Sequence, residues 1–155
     1  MSMFKACILC TVLFTMVAIP LTAATSPAPS AAQGNEAFDE AMETASSALR
    51  SLRRSKFKPD AQADNFKAVQ KLQMALLVAK ENMDSIEMSP NAKAKFGSDL
   101  AAYRAAFRTD LINALMGSLQ LELAIIAKDP EKANEHYRKL GGIRNASHEL
   151  FENPE

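Results

Sequence analysis

The chain has 155 residues, of which 48% are hydrophobic and only 5 are Gly and 7 Pro. This length suffices for one domain with a hydrophobic core and is short for two. Basic and acidic side chains balance at 18 each. The overall charge therefore gives no case for binding nucleic acid, which requires a basic excess.

The first 24 residues have the pattern of a secretory signal peptide. Lys5 supplies a positive start, an unbroken apolar run covers 6–21, and small residues follow at 22–24. We therefore expect cleavage near Ala24 and a periplasmic location, with no membrane contact after cleavage. An uncleaved membrane anchor is the alternative, because the run is nearly long enough to span a bilayer.

Both cysteines, Cys7 and Cys10, lie inside this segment. A cleaved chain would contain no thiol, which excludes disulfides, thiolate metal sites and thiol catalysis. The domain would then depend on its core or on a cofactor for stability. Residues 25–34 are rich in Ala, Ser and Pro and are expected to form a flexible leader before a domain at 35–155.

Helix-forming residues dominate from Asn35 onward. The first predicted helix begins at Asn35, a good N-cap, and ends among the basic residues of 53–58. Its apolar positions are spaced 4-3-4-3, which is typical of a bundle seam: Phe38, Met42, Ala45, Leu49 and Leu52. The second helix is predicted from Pro59 to about Glu87, with a stripe of Phe66, Val69, Leu72, Leu76, Met83 and Ile86.

Ser89-Pro90 and Asp129-Pro130 are cap-then-proline pairs that predict the later helix starts. The third helix begins either at Pro90 or after Gly97, since glycine there can delay it. One face of it is predicted to carry Tyr103, Phe107, Leu111, Leu115 and Leu119. The fourth helix runs from Pro130 to about residue 152.

No segment shows strand alternation, and neither a GxGxxG nor a P-loop pattern occurs. The predicted fold is all-α, an up-down-up-down antiparallel four-helix bundle. In that topology the start of the first helix and the end of the last lie at the same end. Met42 and His148 would then face each other within roughly 6–10 Å of that end. A thioether and an imidazole so placed are an axial ligand pair for haem iron.

The sequence also predicts how the haem would be held. Covalent c-type attachment requires Cys-x-x-Cys-His, whereas 144–148 reads Arg-Asn-Ala-Ser-His. The haem would therefore be b-type and non-covalent. With both axial positions filled, no site remains for oxygen or substrate. We accordingly expect a carrier of single electrons rather than an enzyme, with the soft Met ligand favouring Fe(II).

Residues 36–152 resemble the soluble periplasmic cytochrome b-562 family. The resemblance rests on Ala-Met-Glu-Thr at 41–44 and on Arg-Asn-Ala-Ser-His at 144–148. Phe107-Arg108 fits the same pattern without a gap before His148.

The resemblance implies a haem site built from five residues. Met42 and His148 would be the two axial ligands of the iron, and Arg144 would lie near the porphyrin edge or its propionates. Phe107 and Leu111 would line the haem pocket.

The sequence departs from the family pattern in the connection between the second and third helices, which is tighter than the family norm, and in two features of the last helix. Ser147 stands where an aromatic residue is expected, and Gly141-Gly142 interrupts the last helix. Both support an alternative function, a haem-free exported adaptor or stress protein that kept the helices and lost the cofactor. A low-affinity scavenger of haem or metal is a third possibility.

A basic cluster closes the first helix: Arg50, Arg53, Arg54, Lys56 and Lys58. Such residues commonly form a solvated helix end that complements the helix dipole. The functional interpretation is a docking patch for an acidic redox partner protein.

Overall fold

The computed structural model describes residues 31–151, and all regular secondary structure in that range is helical. Five α-helices follow one another: α1 (Ala31–Ser55), α2 (Gln62–Asn82), α3 (Pro90–Phe96), α4 (Leu100–Ile126) and α5 (Pro130–Phe151). Single 3-10 turns precede and follow α2. The prediction of an all-α fold is confirmed. The predicted signal peptide, 1–24, lies outside the described residues.

The cap-then-proline pairs begin helices as predicted. The Ser89 hydroxyl accepts a hydrogen bond from the Ala92 amide at 3.0 Å. The Asp129 carboxylate accepts one from the Lys132 amide, also at 3.0 Å. This hydrogen bond is the main reason that the pKa of Asp129 is lowered. The starts of α3 and α5 are therefore fixed by local chemistry that the sequence displays.

Both predicted starts of the third helix are used. α3 is a separate helix of seven residues, and α4 begins after a turn at Gly97. Gly97 has φ +60° and ψ −123°, a conformation that L side chains rarely adopt. Asp99 then caps α4 by accepting a hydrogen bond from the Ala102 amide at 2.9 Å.

The predicted start of the first helix at Asn35 is wrong. α1 already includes Ala31, so the described part of the expected leader is helical. Gly34 is buried within it, and a Cβ atom there would lie 2.8 Å from the Ser85 hydroxyl. The missing side chain lets α1 pass close to the turn after α2. A long-range contact of this kind leaves no mark in local composition.

α1 packs along α2, α2 along α4, and α4 along α5. The predicted stripe of α1 is confirmed, since its members are buried except for the half-buried Met42. The predicted stripe of α2 is confirmed from Phe66, which is half-buried, through Leu76. The predicted end near Glu87 is wrong: α2 ends at Asn82, so Met83 lies in the 3-10 turn and Ile86 in extended backbone after it. The core is continuous through all five helices.

The predicted apolar face of the third helix is wrong at its end. Tyr103, Phe107 and Leu111 are buried, but Leu119 is exposed. Residues four apart on a helix differ in direction by about 40°, because four residues make slightly more than one turn. Leu119 follows Tyr103 by four such steps and therefore points roughly 160° away from it. Ser118 is buried in place of Leu119, and its hydroxyl donates to the Leu115 carbonyl at 2.7 Å.

Two glycines of the long helices should respond oppositely to alanine. A Cβ at Gly142 meets nothing within 4 Å, whereas a Cβ at Gly117 would lie 2.9 Å from Cδ2 of the buried Leu140. We expect Gly142→Ala to raise the free energy of unfolding by about 0.5–1 kcal/mol. Gly117→Ala should lower the free energy of unfolding instead, because the buried Leu140 side chain must shift to make room for the new Cβ. Urea denaturation measures both; equal effects would contradict the packing of α4 on α5.

Candidate cofactor site

A cluster of aromatic rings joins the first and last helices at one end of the molecule. Phe107 of α4 packs edge-on against Phe38 of α1, with ring centroids 5.7 Å apart. It stacks on Phe151 of α5 at 4.4 Å, and Tyr103 contacts both Phe107 and Phe151. The start of α1 and the end of α5 therefore lie at the same end.

A cleft of about 570 Å³, its open mouth included, lies beside these rings. Its walls come from α1, α2, α4 and α5, and most of them are apolar: Ala45, Leu49, Leu72, Leu76, Ala114, Leu140 and Ile143. All five residues of the haem site expected from the sequence also line it: Met42, Phe107, Leu111, Arg144 and His148. The fold thus brings together side chains that are up to 106 positions apart in the sequence.

A second cavity adjoins the first and is wide open to solvent; it measures about 460 Å³ with its open mouth included. Four residues line both cavities: Met42, Phe107, Ser147 and His148. Phe38, Ile86 and Phe151 complete the second one. Met42 and His148 therefore lie at the boundary between two spaces rather than at the floor of one.

His148 and Met42 present different donor atoms to this region. His148 lies in the last turn of α5, is half-buried, and its Nε2 atom is inaccessible to solvent. Met42 is half-buried on α1. Imidazole nitrogen and thioether sulfur are both ligands of haem iron. Among residues 31–151, no three His, Cys, Asp or Glu side chains converge as a metal cluster.

The edge of the cleft carries opposite charges. Arg144 is exposed and lies one helical turn before His148. Asp110 of α4 is half-buried, and its carboxylate accepts a hydrogen bond from the Ser147 hydroxyl at 2.8 Å. Ser147 thus connects α5 to α4 directly beside His148. The sequence patterns did not predict a role for Asp110, because its contact with Ser147 joins residues 37 positions apart and the neighbouring residues give no sign of it.

The end of α5 is held by side chains from the start of α3. The Ser89 hydroxyl donates to the Leu150 carbonyl, and the Asn91 amide donates to the Glu149 carbonyl, both at 2.7 Å. Carbonyl groups in the last turn of a helix have no partner within that helix. Residues 89–91, predicted only as a helix start, therefore also cap the last helix and fix the position of His148.

Ser89→Ala should destabilise the protein, because the buried hydroxyl accepts from Ala92 and donates to Leu150. We expect the free energy of unfolding to fall by about 1–2 kcal/mol. The control is Asn91→Ala: its side chain is exposed, so water replaces the lost hydrogen bond and the effect should be smaller. Urea denaturation of both variants checks this. A Ser89→Ala protein as stable as the wild type would contradict the double role of the hydroxyl.

Comparison with known proteins finds no match for this chain, whether among models of protein families, curated protein sequences or solved structures. The resemblance to the soluble periplasmic cytochrome b-562 family therefore stays a prediction from short motifs. Function has to be argued from the cleft and the residues that line it.

Proposed function

We propose that the four long helices, α1, α2, α4 and α5, form an up-down-up-down antiparallel four-helix bundle. In this proposal the bundle binds one haem b non-covalently and carries single electrons in the periplasm. The order of packing, α1 on α2, α2 on α4 and α4 on α5, supports the topology. The ring contacts of Phe107 with Phe38 and Phe151 support it too, because they join the start of α1 to the end of α5.

The observation that carries the proposal is the pairing of Met42 and His148. One lies on the first helix and the other on the last, and both line the same two cavities. A sulfur and a nitrogen donor from separate helices can bind one iron from its two sides.

The other lining residues fit the same group. Leu72 and Leu76 of α2 and Phe107 of α4 offer apolar surface to a porphyrin. Arg144, exposed at the edge, is placed to pair with propionate carboxylates that reach solvent.

A bound haem would supply one-electron Fe(III)/Fe(II) chemistry. The chain would hold the iron through the His148 imidazole and the Met42 thioether, and the soft sulfur favours the reduced state. Leu49 and Leu140 would exclude water from the buried face. Because the chain would supply two ligands to the iron, this arrangement supports electron transfer rather than catalysis on a bound substrate.

The basic cluster at the end of α1 suits a redox partner less well than the edge of the cleft does. All five of its side chains are exposed. Arg54, however, lies twelve residues after Met42, roughly 18 Å along the helix. A partner docked there would be far from the proposed iron. A solvated helix end is the better interpretation of the cluster, and the surface around Arg144 the better candidate for docking.

Titration of the purified, haem-free protein with haemin tests the site directly. We expect a saturable complex at one haem per chain, with the sharp Soret and reduced α bands of six-coordinate haem. Met42→Ala and His148→Ala should each remove those bands and weaken binding by about 10-fold or more, since each deletes one iron ligand.

The chain offers matched controls for both variants. Met74→Ala removes an exposed methionine on α2, and His136→Ala removes the second of the two histidines. Both should bind haemin like the wild type. If the bands survive in the Met42 and His148 variants, or disappear equally in the controls, the assignment of the ligands is wrong.

The proposal also predicts that haem stabilises the fold. A ligand that binds only the native state should add about 2.7 kcal/mol when present at 100 times its dissociation constant. Thermal unfolding with and without haemin measures this. The haem-free adaptor predicts identical melting temperatures instead. A scavenger predicts micromolar or weaker binding without a reversible redox couple in cyclic voltammetry.

A further inference from the structure

α4 carries a second apolar stripe on the side that faces away from the core. Its members are Ile112, Met116, Leu119, Leu123 and Ile126, and between 41% and 59% of each residue is exposed. Their spacing is 4-3-4-3, the a/d pattern of a coiled-coil seam. Isolated exposed apolar residues are normal, but a continuous apolar stripe marks an interaction surface.

This outer stripe is independent of the cleft. The side of α4 that carries Phe107 and Leu111 packs in the core, whereas the outer stripe is centred roughly 120° away around the helix. α4 is also, among the described helices, the one long and apolar enough to cross a membrane by length and composition. Only 28% of its most apolar stretch is buried. The exposed part needs an explanation that the fold alone does not provide.

We propose that the outer stripe binds the same stripe of a second copy of this chain, as an antiparallel two-stranded coiled coil. A two-fold axis between Gly117 and Ser118 would place Met116 of each copy against Leu119 of the other. The next layer would join Ile112 to Leu123. Such an interface is self-complementary, so one apolar stripe satisfies both partners.

Charge complementarity favours the second copy in this orientation. Arg108 and Glu122 flank the stripe on the edge nearer α2, where they contact Asp84 and Gln73 respectively. In the antiparallel arrangement Arg108 of each copy and Glu122 of the other are offset by five residues, roughly 7.5 Å along the axis. Two long side chains span this distance, so two opposite-charge pairs form. A parallel arrangement would set Arg108 beside Asn113 instead and form neither pair.

The opposite edge of the stripe is compatible with the same arrangement. Asn113 and Gln120 occupy the flanking positions there, and both are exposed and uncharged. With the same offset, the antiparallel alignment pairs Gln120 of one copy with Gln120 of the other, two amides that can exchange hydrogen bonds. No like charges meet on either edge.

Sedimentation equilibrium tests the dimer with a matched pair of variants. Met116→Lys places a charge in the stripe, whereas Met74→Lys changes an equally exposed methionine on α2. We expect the wild type and Met74→Lys to dimerise. Met116→Lys should raise the dimer dissociation constant by about 10-fold or more, with an unchanged helical circular dichroism spectrum. The charge reversals Arg108→Glu and Glu122→Arg should each weaken the dimer, and the double variant should restore it.

Disulfide trapping tests the orientation. Cys7→Ser and Cys10→Ser remove the natural thiols. In the antiparallel dimer, Cys introduced as Ile112→Cys in one copy lies next to Leu123→Cys in the other. Two Ile112→Cys chains would hold their thiols roughly 16 Å apart along the axis, too far for a disulfide. Mild oxidation should therefore cross-link the mixture of both variants but not Ile112→Cys alone.

Three results would overturn the proposal. One is a wild-type protein that stays monomeric at the highest soluble concentration. Such a monomer could instead bind lipid vesicles through Met116, and that result would overturn the proposal as well. Another is dissociation by Met74→Lys as strong as by Met116→Lys. The third is efficient cross-linking of Ile112→Cys with itself. None of these depends on haem, so they leave the proposed cofactor site to its own tests.

Discussion

The stacked contact between Phe107 and Phe151 is the interaction on which the arrangement of the cleft depends. The two rings lie 4.4 Å apart and fix the end of α5 against α4, while Phe38 brings the start of α1 to the same ring of Phe107. Together with the hydrogen bonds that hold the end of α5, these contacts place Met42 and His148 on the same cavities. Aromatic pairs of this kind are worth about 0.5–1.5 kcal/mol beyond the area they bury. The ring cluster thus serves the core and sets the geometry of the candidate site.

Local patterns predicted most of the helices, whereas Phe107, Leu111 and Arg144 entered the candidate site only through the resemblance. The sequence reveals the 4-3-4-3 spacing on α1 and the helix starts at Pro90 and Pro130, because each of these signals depends on residues only a few positions apart. The early start of α1 depends on Gly34 passing Ser85, and the capping of α5 depends on Ser89. These contacts join residues 51 and 61 positions apart, which single-sequence patterns do not reveal.

α4 explains both the success and the error of the periodicity argument. Its core side was predicted correctly through Leu111, after which the assumed face drifts onto the outer stripe at Leu119. α4 has apolar residues at helical spacing on two sides. The sequence pattern alone therefore does not distinguish the side that packs in the core from the side that is exposed. The structure separates them: one side lines the cleft with Phe107 and Leu111, and the other side is exposed.

The central claim is that Met42 and His148 bind one iron from two sides, and the most direct test is X-ray absorption at the iron edge of the haemin-loaded protein. The account predicts one sulfur neighbour in the first coordination shell of the wild type and of Met74→Ala. That neighbour should be absent from Met42→Ala, while nitrogen donors remain. A wild-type first shell that contains nitrogen and oxygen only would contradict the account.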